Sequence, residues 1–256
     1  YRISELINSN KNMENNNWSF NSIQQQSTVD TSSVSKTFIA SVFSWMGVAL
    51  AISAVTAYVF GTDMSYLSYL INEATGKLNG LGYFVMFAPI GFVLLMSFGF
   101  QRLSSTALTA LFLIYAVIMG MSLSFIFLAY TTASVYVIFS VSAAMFGLMA
   151  LVGYTTKTDL TKMGSLLMMA LIGIIIAAVV NMFLRSDTMS YVISFISVIV
   201  FTGLTAYDVQ KLKEIGATSE AGSESTAKMS IMGALTLYLD FINLFLALLR
   251  LFGSRK

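Results

Sequence analysis

The sequence predicts an all-α integral membrane protein, and three observations predict it. Of the 256 residues, 57% are hydrophobic. Only 10% are charged, against about 25% in an average soluble domain. Apolar runs of about 20 residues, each long enough to cross a bilayer as a helix, recur along the chain. A single soluble core could not bury this much apolar surface, so we expect the bilayer to solvate most of the chain.

Taken in order, the chain predicts a tail followed by seven spans. Residues 1–34 are polar and rich in Asn, Ser and Gln, which predicts a disordered tail. A membrane domain over 35–254 follows. The uncharged stretch 103–156 is too long for one helix and predicts two, with a turn at 130–134. The sixth helix continues toward water through residue 214, and a loop at 216–227 precedes the last segment. The predicted spans are 38–60, 81–100, 107–129, 135–155, 165–184, 191–207 and 230–252.

Basic residues in the loops predict a cytoplasmic N-terminus. In that orientation nine Lys and Arg residues lie on the cytoplasmic side and five on the other. Three of the five fall in the last helix and the short tail after it. The side of the C-terminus therefore stays open, as does a re-entrant last segment. The nine are Arg2, Lys11, Lys36, Arg102, Lys157, Lys162, Lys211, Lys213 and Lys228.

Missing residue types exclude several kinds of site. The chain has no Cys and no His. This excludes disulfides, thiolate and imidazole metal sites, and serine hydrolase triads. The net charge of +2 gives no signature of nucleic-acid binding. We expect no enzymatic activity and no cofactor, although residue counts alone leave an aspartyl intramembrane protease open.

Two aspartates stand where a charge is expensive. Asp240 lies in the middle of the uncharged apolar run 231–249. A carboxylate at that depth costs at least about 2.5 kcal/mol, so it should face the bundle interior or a wet cavity. Asp208 closes the sixth span and is shallower. A single loop joins the two helices, so we expect them to be antiparallel neighbours that bring the carboxyl groups to similar depth.

The predicted pair has two possible roles. Two carboxylates about 4 Å apart repel by about 4 kcal/mol at an effective dielectric of 20, so the pair would share one proton near neutral pH. In a chain without histidine this makes Asp208 and Asp240 the candidate pH switch. The same pair could instead be a hydrogen-bonded lock for helix packing, and the sequence leaves both roles open.

Three more polar residues are candidates for supporting roles. Asn181 lies inside the fifth span, and Asn243 follows Asp240 by three residues on the same helix face. Both are expected to hydrogen-bond between helices. Arg102, at the end of the second span, is a candidate gating partner for the aspartates or else an orientation anchor.

Three passages make the chain resemble the Bax inhibitor-1 family, also called the transmembrane Bax inhibitor motif family. One is Gly-Tyr-Thr-Thr-Lys-Thr-Asp-Leu-Thr-Lys-Met-Gly at 153–164. Another is Leu-Thr-Ala-Tyr-Asp-Val-Gln-Lys-Leu-Lys at 204–213. The last is Leu-Tyr-Leu-Asp-Phe-Ile-Asn-Leu-Phe-Leu-Ala-Leu-Leu-Arg-Leu-Phe-Gly at 237–253. The likeness covers residues 35–254 and leaves the N-terminal tail outside it.

The resemblance implies a fold and a function. It implies seven helices with a central C-terminal helix wrapped by the other six, in a bacterial inner membrane. It implies a pH-sensitive calcium leak in which Asp208 and Asp240 match the family's paired aspartates. An arginine near the end of the second span, here Arg102 or the position of Gln101, would compete for the pair. The acidic residue that the family can carry on the second span is absent from 81–100.

Chemistry is compatible with a weak calcium site at Asp208 and Asp240, because calcium prefers hard oxygen ligands and a conducted ion must also leave. Protonation would remove the attracting charge and would also break a bond to Arg102, so the sequence does not give the sign of the pH response. Two other functions stay open. One is a membrane-embedded regulator or partner of a quality-control protease or a stress pathway, with structural aspartates. The other is a proton-coupled transporter of another substrate.

Overall fold

A bundle of long helices forms the protein. The computed structural model describes residues 34–72, 75–220 and 222–256. Within these ranges seven helices are long and apolar enough to cross a membrane, and α4 and α5 together make one of the seven. The predicted all-α multi-pass architecture is therefore confirmed, while the predicted tail lies outside the described residues up to residue 33. The helices are α1 (Val34–Thr62), α2 (Met64–Leu67), α3 (Gly80–Gly99), α4 (Ser105–Leu123), α5 (Ile126–Ala129), α6 (Thr132–Thr155), α7 (Thr161–Leu184), α8 (Asp187–Thr218) and α9 (Glu224–Phe252).

Side-chain caps fix the starts of most long helices. Each capping residue accepts a hydrogen bond from the backbone N–H three residues further on, which satisfies a donor that the helix cannot. Such a cap is worth about 1 kcal/mol. The caps are Asn79 for α3, Ser104 for α4, Thr131 for α6, Ser186 for α8 and Ser223 for α9.

The helices are longer than their apolar runs. The last helix begins at Glu224, not at residue 230, so the predicted loop 216–227 shrinks to 219–223. The predicted turn at 130–134 is likewise only 130–131, because α6 begins at Thr132. The physical reason is the capping just described, which lets polar first turns stay helical outside the hydrocarbon.

The last helix is the most deeply buried of the seven. It packs against α4, α6 and α8, and the Tyr238 hydroxyl lies 2.7 Å from Ser53 Oγ of α1. It is one uninterrupted helix of 29 residues, which gives no support to a re-entrant segment. The expectation that all six other spans wrap it stays a prediction. By contrast, α7 leaves almost its whole length exposed and packs mainly on α8.

An odd number of spans places the two ends of the described chain on opposite faces. We call the face where α1 begins the N-terminal face; it also carries the α6–α7 loop and the α8–α9 loop. We call the face where α9 ends the C-terminal face. It also carries the end of α7 and the start of α8.

Candidate functional site

The site is built on the antiparallel pair α8 and α9, which the short loop 219–223 joins. Asp208 lies on α8 and Asp240 on α9, and the two side chains are hydrogen-bond neighbours. Close helix contact makes this possible. A Cβ on Gly233 of α9 would overlap the end of the Leu212 side chain of α8, so a larger residue here would have to displace that side chain. The structure thus brings together the two carboxyl groups that the sequence singled out.

The environment of the carboxyl pair suits a shared proton. Asp240 is only 5% exposed, and its Oδ2 is buried without a hydrogen-bond partner among the described residues. A carboxylate oxygen only accepts, so two ionised carboxylates cannot bond to each other. When one of them carries a proton, it can donate to the other. The geometry therefore fits a pair that shares one proton.

A positive charge faces the pair from α8 itself. Lys211 follows Asp208 by three residues, and its charge acts directly on the Asp208 carboxylate. The sequence analysis placed Lys211 on the helical continuation after Asp208 but used it only as a cytoplasmic-side cation. Its three-residue spacing from Asp208 on that continuation was the signal that could have revealed the interaction.

Two cavities have Asp208 in their walls. The main cavity, of about 1620 Å³, runs between α7, α8 and α9 and is lined by both aspartates. The small cavity, of about 350 Å³, lies toward the N-terminal face between the end of α3 and the facing turns of α8 and α9. Asp208, Lys211 and Thr236 line both. Asp208 therefore lies in the wall of both open spaces, and Asp240 lies in the wall of the main cavity.

A row of hydroxyl groups on α8 leads from the C-terminal face toward the pair. Ser190, Ser194 and Ser197 all line the main cavity. Ser194 and Ser197 donate their protons to carbonyl oxygens of their own helix, at 2.8 and 2.7 Å. The hydroxyl oxygens keep lone pairs that a cation can use. Between this row and Asp208, Phe201 and Leu204 form a short apolar band on the cavity wall.

The two asparagines line the same cavity but make different bonds. Asn181 Nδ2 donates to Ser190 Oγ at 2.7 Å, and its Oδ1 accepts from the backbone of Ser186 at 3.1 Å. It therefore ties the end of α7 to the start of α8. Asn243 Nδ2 donates to the Leu239 carbonyl of its own helix at 2.8 Å. Its described bond is not an interhelical one.

Arg102 lies apart from the pair. It stands exposed in the turn between α3 and α4 and is not among the residues that line the two cavities. Over the described ranges the one ion pair joins Lys228 to Glu224, at 3.8 Å. Competition by Arg102 for the aspartates stays a prediction. In this structure the cation that acts on Asp208 is Lys211.

A second contact, which the sequence did not indicate, clamps the α6–α7 loop onto α8. Gln210 accepts from Leu160 N at 2.8 Å and donates to the Thr158 carbonyl at 2.9 Å. Lys213 Nζ donates to the Tyr154 carbonyl at 2.8 Å. Two of the three passages that carry the family resemblance therefore pack on each other, directly beside Asp208.

Comparisons with known proteins show what the chain is similar to. The family model described as inhibitor of apoptosis-promoting Bax1 matches residues 35–256. Inner membrane protein YbhL of Escherichia coli K12 is 45% identical over 222 residues, covering 86% of this chain and 93% of that protein. An uncharacterized protein of Borreliella burgdorferi is 43% identical over 220 residues, covering 86% and 92%. Uncharacterized protein RP147 of Rickettsia prowazekii is 41% identical over 244 residues, covering 91% and 99%.

Proposed function

Because the chain belongs to the Bax inhibitor-1 family of multi-pass membrane proteins, we propose that it is a pH-sensitive calcium leak channel controlled by Asp208 and Asp240. The observation that carries the proposal is the position of the carboxyl pair on the wall of the main cavity, with Asp208 also lining the small cavity. In this proposal the chain is no enzyme and needs no cofactor, and calcium is its cargo. It lies in a bacterial inner membrane with the N-terminus in the cytoplasm.

The proposed ion site should bind calcium with low affinity. Two carboxylates, the Thr236 hydroxyl and the Asn243 side-chain oxygen supply hard oxygen atoms along the same cavity. The positive charge of Lys211 offsets part of the negative charge of the carboxylates. A site with few charges binds calcium loosely, and loose binding allows the ion to leave again.

The proposed gate is the shared proton. In the closed state one proton joins the two carboxyl groups and holds α8 against α9. Loss of that proton leaves two carboxylates at hydrogen-bonding range, which repel by about 4 kcal/mol or more at an effective dielectric of 20. The same loss supplies the charge that attracts calcium. Both effects act in one direction, so calcium flux should rise as the pH rises.

Acidification has the opposite consequence for the ion. A second proton removes the remaining negative charge and with it the attraction between Asp208 and Lys211, which lie on the same helix. The site then has no net negative charge to draw calcium in. We therefore expect low flux in acid even if the helices separate.

Calcium flux into proteoliposomes tests the proposal. It is measured between about pH 6 and pH 8, a range that spans the predicted loss of the shared proton. The variants are Asp208→Asn and Asp240→Asn, which keep the shape but cannot ionise. The matched control is Asp63→Asn, an exposed carboxylate that caps α2 and lines neither cavity.

The outcomes separate the candidate functions. Flux that rises with pH in the wild type and in Asp63→Asn, but not in the two other variants, supports the proposal. Flux that falls with rising pH would show that the assigned sign, and with it the proposed gate, is wrong. No calcium flux at any pH would overturn the channel and favour a regulatory partner protein. Saturable, proton-driven uptake of another substrate would favour a transporter.

A further inference from the structure

Three arginines at the C-terminal face line the main cavity. Arg185 follows the end of α7, Arg250 lies in the last turn of α9, and Arg255 belongs to the C-terminal segment. All three line the main cavity, and we call them the arginine mouth. The carboxylate nearest to them in the chain among the lining residues is Asp187, so the mouth has a surplus of positive charge.

The three guanidinium groups are free to bind something. Throughout 34–72, 75–220 and 222–256, no ion pair, side-chain hydrogen bond or ring contact of these guanidiniums is present. Arginine presents planar donors that match phosphate and carboxylate oxygens in pairs. The N-terminus of α8, which also lines the cavity, adds a favourable dipole for an anion.

The backbone holds the arginines in place. Arg185 has a φ of 53°, a left-handed conformation that glycine normally takes at a helix end. The Arg255 backbone forms a bridge to Tyr130, and the Thr131 N–H donates to the Ser254 carbonyl at 3.0 Å. The last residue also binds back, since Lys256 N donates to the Ala129 carbonyl at 3.1 Å. The C-terminal segment is thus fixed against the turn before α6, with Arg255 at the cavity.

The surroundings of the mouth indicate a lipid. Exposed aromatic side chains near the ends of α7, α8 and α9, namely Phe183, Tyr191 and Phe252, mark the level of the membrane interface. Lipid phosphates lie at that level. Below the mouth, the α7 wall of the cavity is apolar and exposed, through residues such as Ile175 and Val179.

We infer that the arginine mouth binds the phosphate group of an anionic phospholipid, with an acyl chain lying along α7. This inference does not depend on the calcium leak, because the mouth and the α7 wall exist whatever passes the aspartates. The chemistry recognised is a phosphate, and the depth of the mouth and the apolar wall below it identify the lipid as its source.

Native mass spectrometry of the full chain in detergent tests the inference. The protein is titrated with phosphatidylglycerol, with phosphatidylcholine of the same acyl chains, and with inorganic phosphate. Losing a charge-assisted bond of about 1.4 kcal/mol weakens binding about tenfold, so the wild type should prefer the anionic lipid by about tenfold or more. The test variant is Arg185→Gln/Arg250→Gln/Arg255→Gln. The matched control is Lys77→Gln, a cation of the α2–α3 connection that lines neither cavity.

Each result decides the matter. A preference that is lost in the triple variant, kept in the control and unaffected by inorganic phosphate supports the inference. A triple variant that keeps the preference of the wild type overturns the site. If inorganic phosphate displaces the lipid and the two lipids bind equally well, the bound phosphate does not come from an anionic lipid, and the inference is overturned. Should the triple variant fail to fold, Arg250→Gln alone must lower the preference severalfold, and an unchanged preference overturns the inference.

Discussion

Replacing Ser53 with Ala should destabilise the protein more than replacing its hydrogen-bond partner Tyr238 with Phe. Ser53 Oγ donates to the Ala116 carbonyl at 2.7 Å and lies 2.7 Å from the Tyr238 hydroxyl. Because the Ser53 proton is already used, Tyr238 must donate to Ser53. Both side chains are buried, at 1% and 0% exposure, so no solvent replaces a lost partner.

The loss in the free energy of unfolding depends on which buried hydroxyl is left without a hydrogen-bond partner. Ser53→Ala leaves the Tyr238 hydroxyl buried without an acceptor, which costs about 1–3 kcal/mol. Tyr238→Phe removes the hydroxyl together with its need for a partner and leaves the Ser53 bond to α4 intact, so it costs about 1 kcal/mol. In the double variant no hydroxyl is orphaned. Its loss should therefore be smaller than the sum of the single losses by about 1 kcal/mol or more.

Equilibrium unfolding in mixed detergent micelles measures the free energy of unfolding of the wild type, the two single variants and the double variant. The four chains form a double-mutant cycle, and the coupling between Ser53 and Tyr238 is its result. Equal losses for the two single variants would refute the reasoning, because they would show that another group accepts the Tyr238 proton. The outcome bears on the site, since Tyr238 stands two residues before Asp240 and holds α9 against α1.

Three further predictions concern the site itself. Lys211→Gln removes the cation beside the carboxyl pair and should move the rise of calcium flux to higher pH in proteoliposomes; an unchanged profile would contradict its role. Gln210→Leu removes two bonds to the α6–α7 loop, about 2 kcal/mol in all, and should speed amide exchange at Leu160, with slow exchange contradicting the clamp. Gly233→Val should cost about 1–3 kcal/mol in unfolding through collision with α8, while Gly173→Val, which has open space, should cost less.

The bilayer explains why the architecture was predictable. Backbone groups inside hydrocarbon must bond within their own helix, so a long apolar run has one stable structure. The same solvent makes an internal charge costly, which is why Asp240 stood out within its apolar run. The neighbouring position of Asp208 followed from the short connection between the last two helices.

Features that depend on backbone groups or on distant segments were not predictable. The first turn of α9 is polar, and its cap at Ser223 gives no hydropathy signal. Gln210 bonds to main-chain atoms about 50 residues earlier in the chain, and no spacing rule connects them. The arginine mouth joins three elements whose meeting point is set only by packing.

In the proposed channel, the charges along the main cavity would favour calcium at the carboxyl pair and oppose it at the arginine mouth. At about 10 Å in water, two unit charges interact by roughly 0.4 kcal/mol. With Asp187 counted, the mouth has a net charge of about +2. It would then oppose a divalent cation by about 1.7 kcal/mol before salt screening, or about one power of ten in local concentration. Physiological salt weakens this barrier, since the Debye length is only about 8 Å. A bound phosphate would weaken it further by cancelling part of the positive charge.

An empty mouth therefore favours a slow leak, and an anionic lipid at Arg185, Arg250 and Arg255 should raise calcium flux without changing its dependence on pH. Flux that is insensitive to lipid charge would separate the two sites and leave the carboxyl pair as the only control.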